Sequence, residues 1–391
     1  MTATQNQSSK NGERRLYVSF ELGWSQWKLA FCSAAADPAR VRAIGARNMD
    51  ALRQELVKAK ERFGLPTDAP VYSCYEAGRD GFWLHRWLSA EGIDNVVVDS
   101  ASIETPRRGR RAKNDRLDAV KLVSMLVRYQ GGEKKVWKVV HVPSGEDEDR
   151  RQLHRDLLEL KAERTQHSNR IKGLLAAVGL AVEVGPKFLQ QLPELRTWDQ
   201  QAVPAGLQER LQREFARWEF VDKQIKALEK ERVGKIRTEE TAPVKRVRQL
   251  LELRGIGTNS AWLYVMEFFG WRDLRNRREV AALAGLTPTP YQSGDSDHEQ
   301  GISKAGNRRL RSMAIEIAWC WLQYQPGSAL SHWYQQRYGP GKSRLRRIGI
   351  VALARKLLVA LWRYLETGEA PQGAKLVDWH TKVGGAVAVS A

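Results

Sequence analysis

The chain has 391 residues, enough for two or three domains with more than one buried core. It is 42% hydrophobic and 28% charged, a globular composition that excludes a disordered polymer. With 64 Lys and Arg against 45 Asp and Glu, the net charge is +19; this points to a polyanion, most simply nucleic acid, although a basic chain without such a partner has the same sum. No apolar stretch reaches ~18 residues without a charge, so no membrane helix is expected; the best candidate, 348–362, contains Arg355 and Lys356. Residues 1–14 are polar and lack an apolar centre, as expected of a tail and not of a signal peptide. Cys32, Cys74 and Cys320 are too scattered for a metal-ligand motif or a disulfide framework, which fits a reducing, cytoplasmic setting.

In chain order, the first region (15–145) alternates short β-rich runs with helical patterns. Strands are predicted at 15–20, 27–33 and 41–47, the first two separated by a turn-like patch. A helix follows over 48–63 with Leu52, Leu56, Val57 and Ala59 on one face. Then come a strand at 71–75, a helix at 81–90, a strand at 95–99 and a helix at 114–129, with a possible edge strand at 137–142. The order β-β-β-α-β-α-β-α implies three antiparallel strands feeding a parallel extension, a mixed α/β sheet covered by helices.

The second region (146–243) carries apolar or tolerated positions at 153, 157, 160, 164, 167, 171, 174 and 178, and again at 207, 211, 214, 218, 221, 225, 228 and 232. The steps alternate 4 and 3, so two heptad helices are expected to form an antiparallel coiled coil or, equally, an ordinary helical pair. Arg164, His167 and Glu214 fall on this seam, where His167 serves as a register residue before it serves as a ligand. The third region (244–368) is mainly helical. Helices are expected over 246–253, 260–269, 278–284, from Ser303 as N-cap to Tyr324, and over 345–365. Residues 288–301, rich in Pro, Gly, Ser and Asp, read as a polar loop, and 369–391 as a loosely ordered tail.

Four acids stand out by position. Glu21 follows the first strand and Glu76 the strand at 71–75, while Asp115 and Asp118 share one face at the start of a helix. Carboxylates at two strand ends and one helix face can converge at a sheet edge, where their repulsion is relieved by one or two Mg²⁺ ions. Two such ions activate an attacking oxygen and stabilise a leaving oxygen on a phosphodiester. Taken singly, Asp115 and Asp118 also suit the dipole of a helix N-terminus. It is their conjunction, on a strand order that resembles the ribonuclease H fold, that suggests a site. Beside them runs a basic stretch, Arg107, Arg108, Arg110, Arg111, Lys113 and Arg116, suited to phosphates.

A second group lies downstream. The turn Gly255-Ile256-Gly257 between two helices resembles a helix-hairpin-helix turn, where glycines let backbone N–H groups approach a phosphate; a tight interhelical turn needs glycine too. Ser293, in the block Gln292-Ser293-Gly294, precedes Lys304, Arg308, Arg309 and Arg311. A serine near arginines has the parts for hydroxyl attack on a phosphodiester: a nucleophile and donors for the developing charge. Ser303 is the rival serine, read first as an N-cap.

The segments Glu21-Leu-Gly-Trp24, Tyr75-Glu-Ala-Gly78, Lys113-Asn-Asp-Arg-Leu-Asp-Ala119, Gly255-Ile-Gly257, Ala284-Gly-Leu-Thr-Pro288, Gln292-Ser-Gly294 and Ile302-Ser-Lys-Ala-Gly-Asn-Arg-Arg-Leu-Arg311 together resemble the insertion-sequence-110 family of DEDD transposases over residues 15–368. The resemblance implies a RuvC-like (RNase H fold) domain over 15–145, a coiled-coil insertion over 146–243 and a C-terminal transposase domain over 244–368. It further implies Mg²⁺ on Glu21, Glu76, Asp115 and Asp118, and a catalytic serine matching Ser293 that forms a phosphoserine link to DNA. Donor and target DNA, a guide RNA of the bridge type, a dimeric or tetrameric homo-oligomer and a bacterial, nucleoid-associated location complete the expectation. Glu21 departs from the pattern, in which this acid is Asp. The competing functions are a Holliday-junction-type Mg²⁺-dependent endonuclease, which needs no serine, and a non-catalytic nucleic-acid-binding scaffold.

Overall fold

Alternation of apolar side chains builds the first sheet. In β1 (Leu16–Leu22), Leu16, Val18 and Phe20 are buried on one face and Tyr17 and Ser19 on the other, the period of a strand covered on both sides. The computed structural model describes residues 14–35, 37–103, 114–293, 296–339, 341 and 343–384, with the backbone alone over 291–300. The chain divides into two compact units, Met1–Val142 and Pro143–Ala391. The helical regions expected over 146–243 and 244–368 therefore fall within one unit.

In the first unit, β2 (Gln26–Cys32) pairs antiparallel with β1, and β3 (Arg40–Gly45) antiparallel with β2. After α1 (Met49–Arg62), β4 (Val71–Glu76) pairs parallel with β1; after α2 (Trp83–Ala90), β5 (Asp94–Val98) pairs parallel with β4. The sheet order is β3-β2-β1-β4-β5. Leu52, Leu56, Leu84 and Leu88 of α1 and α2 pack with Leu16, Val18 and Phe20 on one face. On the opposite face, Leu122 and Leu126 of α3 (Asp115–Gln130) pack with Tyr17 and Cys74. The mixed, helix-covered sheet is thus as the sequence predicts. Two details differ. Val57 is 53% exposed, because it lies about 100° round the helix from Leu56. The expected edge strand at 137–142 reduces to one antiparallel bridge, Val98↔Val139.

In the second unit, α4 (Gly145–Arg150) leads into α5 (Gln152–Ala176); α6 (Phe188–Gln191) precedes α7 (Ala205–Thr238). α5 and α7 pack antiparallel. Leu157 meets Val221 and Ile225 near one end; Ile171 and Leu175 join Leu211, Phe215 and Trp218 near the other. Between these apolar layers lies a polar one. Arg164 Nη1 donates to Asp222 Oδ1 at 2.6 Å, and His167 Nδ1 lies 2.6 Å from Glu214 Oε1. Arg170 and Arg217 also donate to Glu214, at 2.8 and 2.9 Å. Sliding one helix past the other would break this set, so His167 sits where a register residue should.

The remaining elements are α8 (Ala242–Leu251), α9 (Thr258–Tyr264), a π-helical turn (Val265–Phe269), α10 (Arg277–Leu283), β6 (Pro288–Ser293), β7 (Ser296–Ile302), α11 (Arg308–Tyr324), α12 (Ala329–Tyr338), α13 (Ser343–Thr367) and α14 (His380–Gly384). Trp262, Phe268, Phe269, Trp321, Leu353, Leu357 and Leu361 form their core.

Three sequence expectations are corrected here. The loop expected at 288–301 is an antiparallel hairpin, Pro288↔Ile302 to Ser293↔Ser296. The sequence signal for it is the dipeptide Gly294-Asp295, of a kind that favours hairpins; that pair itself lies outside the described residues. Ser303 does not cap α11. Asn307 does, its Oδ1 accepting from Leu310 N at 3.1 Å. The tail is ordered as far as residue 384: Val377 N donates to Glu252 O, Ala329 N donates to Gln372 O, and Val383 is buried in the core. Residues 1–13 and 385–391 lie outside the described set.

Candidate active site and nucleic-acid interface

The two faces of the first sheet decide where the four acids go. Tyr17, Ser19 and Glu21 alternate onto the α3 face of β1, and Tyr72, Cys74 and Glu76 onto the same face of β4. The parallel register pairs Ser19 with Cys74 and Phe20 with Tyr75, so Glu21 and Glu76 follow side by side at the C-terminal ends of neighbouring strands. Ser19 Oγ donates to Ala119 O at 2.6 Å, and Cys74 Sγ lies 3.8 Å from Leu122 O. These contacts dock α3 on that face through Ala119 and Leu122, which follow the turn that carries Asp115 and Asp118. Asn114 caps that turn, its Oδ1 accepting from Arg116 N at 2.9 Å. Asp115 and Glu76 are exposed, Asp118 and Glu21 partly buried.

The structure therefore sets Glu21 and Glu76 side by side at one end of a sheet face, and packs on that face the helix whose first turn carries Asp115 and Asp118. Their oxygen-only chemistry fits a hard cation such as Mg²⁺. Their positions do not by themselves form a cage: among the described residues, no group of three or more His, Cys, Asp or Glu residues is arranged to hold a metal ion. Four carboxylates repel one another, so a cation is what would draw them together. A fifth acid at this end, Asp99, follows β5. Its Oδ1 accepts from Ala101 N at 3.2 Å.

Of the predicted basic stretch, Arg107, Arg108, Arg110, Arg111 and Lys113 lie outside the described residues, and Arg116 is exposed on α3.

In the second unit, Gly255 has φ +91°, and a Cβ there would lie 3.1 Å from Tyr324 Cβ. Its glycine is thus required by the turn and by packing. Among the described residues, no atom beyond its chain neighbours lies within 4 Å of where a Cβ of Gly257 would stand. The Ile302–Arg311 block has a structural reason as well. Lys304 N donates to Gly285 O and Asn307 N to Leu283 O, both at 3.1 Å. Gly306 has φ +89°, and a Cβ on it would stand 2.1 Å from Leu283 O. The segment is therefore a backbone clasp closing the base of the hairpin. Arg311 serves that clasp, Nη1 donating to Ala284 O at 3.3 Å, while Arg308 and Arg309 are exposed. Ser293 ends β6 at the opposite, turn end of the hairpin, about 17 Å from its base at ~3.3 Å per residue. Ser303 is exposed at the base, its N–H donating to Thr287 O at 2.9 Å. The arginines following the clasp therefore stand nearer in the chain to Ser303 than to Ser293.

Sequence reasoning passed over a cluster of Trp24, Arg47, Arg79 and Asp80 beside Glu21 and Glu76. The available signal was a tryptophan in the turn Gly23-Trp24-Ser25, where a large ring finds little to bury against.

Comparison with known proteins gives the chain's relatives. The family model described as "Transposase IS116/IS110/IS902 family" matches residues 247–334. A putative transposase of Sinorhizobium fredii, y4rJ, is 42% identical over 379 residues, covering 92% of this chain and 94% of that one. The transposase for insertion sequence element IS1328 of Yersinia enterocolitica is 27% identical over 54% of this chain and 60% of its own length. That for IS1111A of Coxiella burnetii is 25% identical over 73% of this chain and 75% of its own.

Proposed function

Because the chain belongs to the IS116/IS110/IS902 family of transposases, we propose that it cuts and rejoins the DNA of a mobile element through a phosphoserine intermediate, with a guide RNA selecting the sites. One observation carries the site assignment: Glu21 and Glu76 end neighbouring parallel strands on the face over which α3 sets Asp115 and Asp118. Glu21, Glu76, Asp115 and Asp118 would hold Mg²⁺, which when bound supplies charge neutralisation at the scissile phosphate. Ser293 Oγ would bond to phosphorus while the strand's own oxygen leaves as a hydroxyl, and reversal on a second strand would rejoin the DNA. Exposed Arg308 and Arg309, with Lys304, would pair with phosphates. A homo-oligomer acting on donor and target DNA completes the proposal.

The test is a denaturing gel of the protein with a suicide DNA substrate. Ser293→Ala should abolish the covalent adduct while DNA binding persists, and Asp115→Asn should stop strand cleavage in a folded protein. An adduct lost only in Ser303→Ala would move the nucleophile to the hairpin base. Mg²⁺-dependent cleavage with no adduct in any variant would select a Holliday-junction-type endonuclease instead.

A further inference from the structure

Trp24 is 70% exposed, against 0% for Trp27 in the next strand. It occupies the β1–β2 turn, three positions after Glu21. Gly23 fixes that turn, since a Cβ on it would stand 2.4 Å from Gln26 O. Two guanidinium groups attend the ring, with the Cζ atoms of Arg47 and Arg79 each 5.0 Å from its centroid. Arg79 comes from the loop leaving β4, three positions after Glu76. Arg47, at φ +63°, donates Nη1 to Trp24 O at 3.3 Å and Nη2 to Asp80 Oδ1 at 2.7 Å. Asp80 also accepts from Arg79 Nη2 at 3.5 Å. The loops leaving both carboxylate-bearing strands are thus tied together at one indole.

This arrangement is more than a latch. A ring serving only to hold two loops would gain most by being covered, yet this one keeps most of its surface in water. The guanidinium side chains keep 42% and 57% of theirs, and two cations stand against the single carboxylate of Asp80. A flat aromatic surface with spare positive charge suits a nucleobase and the phosphates beside it. A base within a duplex presents only its edge, so the base concerned must be unpaired.

We propose that Trp24 is a stacking platform for an unpaired base of the DNA strand that is cut at Glu21 and Glu76, with Arg47 and Arg79 pairing with the neighbouring phosphates. The inference rests on the proposed function for the course of that strand. Base stacking itself needs no metal, so the two can be tested apart.

The experiment measures binding of a fluorescent single-stranded DNA oligonucleotide to the full-length protein in EDTA. Trp24→Ala should weaken it by roughly 5- to 150-fold, the equivalent of one stacked base. Trp24→Phe should keep most of the affinity, and duplex DNA of equal length should bind all variants alike. The same oligonucleotide carrying 5-iodouracil should crosslink to the tryptic peptide containing Trp24 in the wild-type protein. Matched melting temperatures would show that the loss is not unfolding. Unchanged affinity in Trp24→Ala with no crosslink at Trp24 overturns the proposal. Equal weakening of single strand and duplex also overturns it, reducing the indole to a loop tie; an effect confined to an RNA oligonucleotide reassigns the ring and overturns it as stated. If Asp115→Asn still cleaves DNA while the crosslink persists, the carboxylate assignment fails and the platform stands.

Discussion

His154 shows how much one residue can change stability in this fold. It is fully buried on α5, and neither ring nitrogen meets a hydrogen-bond partner among the described residues. Burial, and after it the charge of Arg232, pulls its pKa from 6.5 down to about 4. Between those values the unfolded chain takes up a proton that the folded chain refuses. Stability therefore falls as pH drops from about 6.5 to about 4, by up to roughly 3 kcal/mol. His154→Leu should remove this dependence. At pH 7 it should equal or exceed the wild type, because it deletes two unsatisfied buried polar atoms. Unfolding curves at stepped pH check this; a stability difference between the two proteins that stays constant from pH 6.5 to 4 would clear His154. The residue was not legible as special in the sequence, since its burial depends on what packs around α5 rather than on its neighbours in the chain.

The α8–α9 turn and the segment after residue 368 belong together. Lys382 Nζ donates to Leu251 O, to Leu253 O at 2.7 Å and to Ile256 O at 2.8 Å. One ammonium thereby satisfies carbonyls at the end of α8 and through the turn, the classes of group a helix end leaves unpaired. Trp379 stacks on Arg248 at 5.1 Å, and Leu376 bridges to Leu253. Lys382→Met keeps the apolar stem but removes the donors. It should cost about 2 kcal/mol, read as a lower denaturant midpoint at unchanged slope. Lys382→Arg should not restore the loss, because a planar fork cannot serve three converging acceptors. Composition alone suggested a loose tail; the order comes from backbone acceptors some 130 positions earlier in the chain, which no local pattern records.

The whole chain carries +19, and in a transposase that charge has a use. Binding to DNA should release counterions, so affinity should fall by ~10³ or more between 50 and 200 mM salt if six or more phosphates are neutralised. Titrations of a labelled duplex at four salt concentrations give the slope directly. A nearly flat response would mean that the basic residues are not aimed at phosphate. No described helix is long and apolar enough to cross a membrane.

The sequence by itself determined the order and type of most elements. Strand alternation places residues on sheet faces and helical periodicity turns apolar stripes inward, and both are local properties of the chain. It likewise located Glu21, Glu76, Asp115 and Asp118, because strand ends and helix starts are legible. Only the tertiary structure decided that β1 and β4 are parallel neighbours, which sets Glu21 beside Glu76, and that Ser19 docks on Ala119, which puts the helix bearing Asp115 and Asp118 on the same face. It also turned a supposed loop into a hairpin with Ser293 at its turn end, made Ser303–Asn307 a clasp and gave the cap of α11 to Asn307 instead of Ser303. Those outcomes depend on hydrogen bonds between segments far apart in the chain, with partners that residue spacing does not specify.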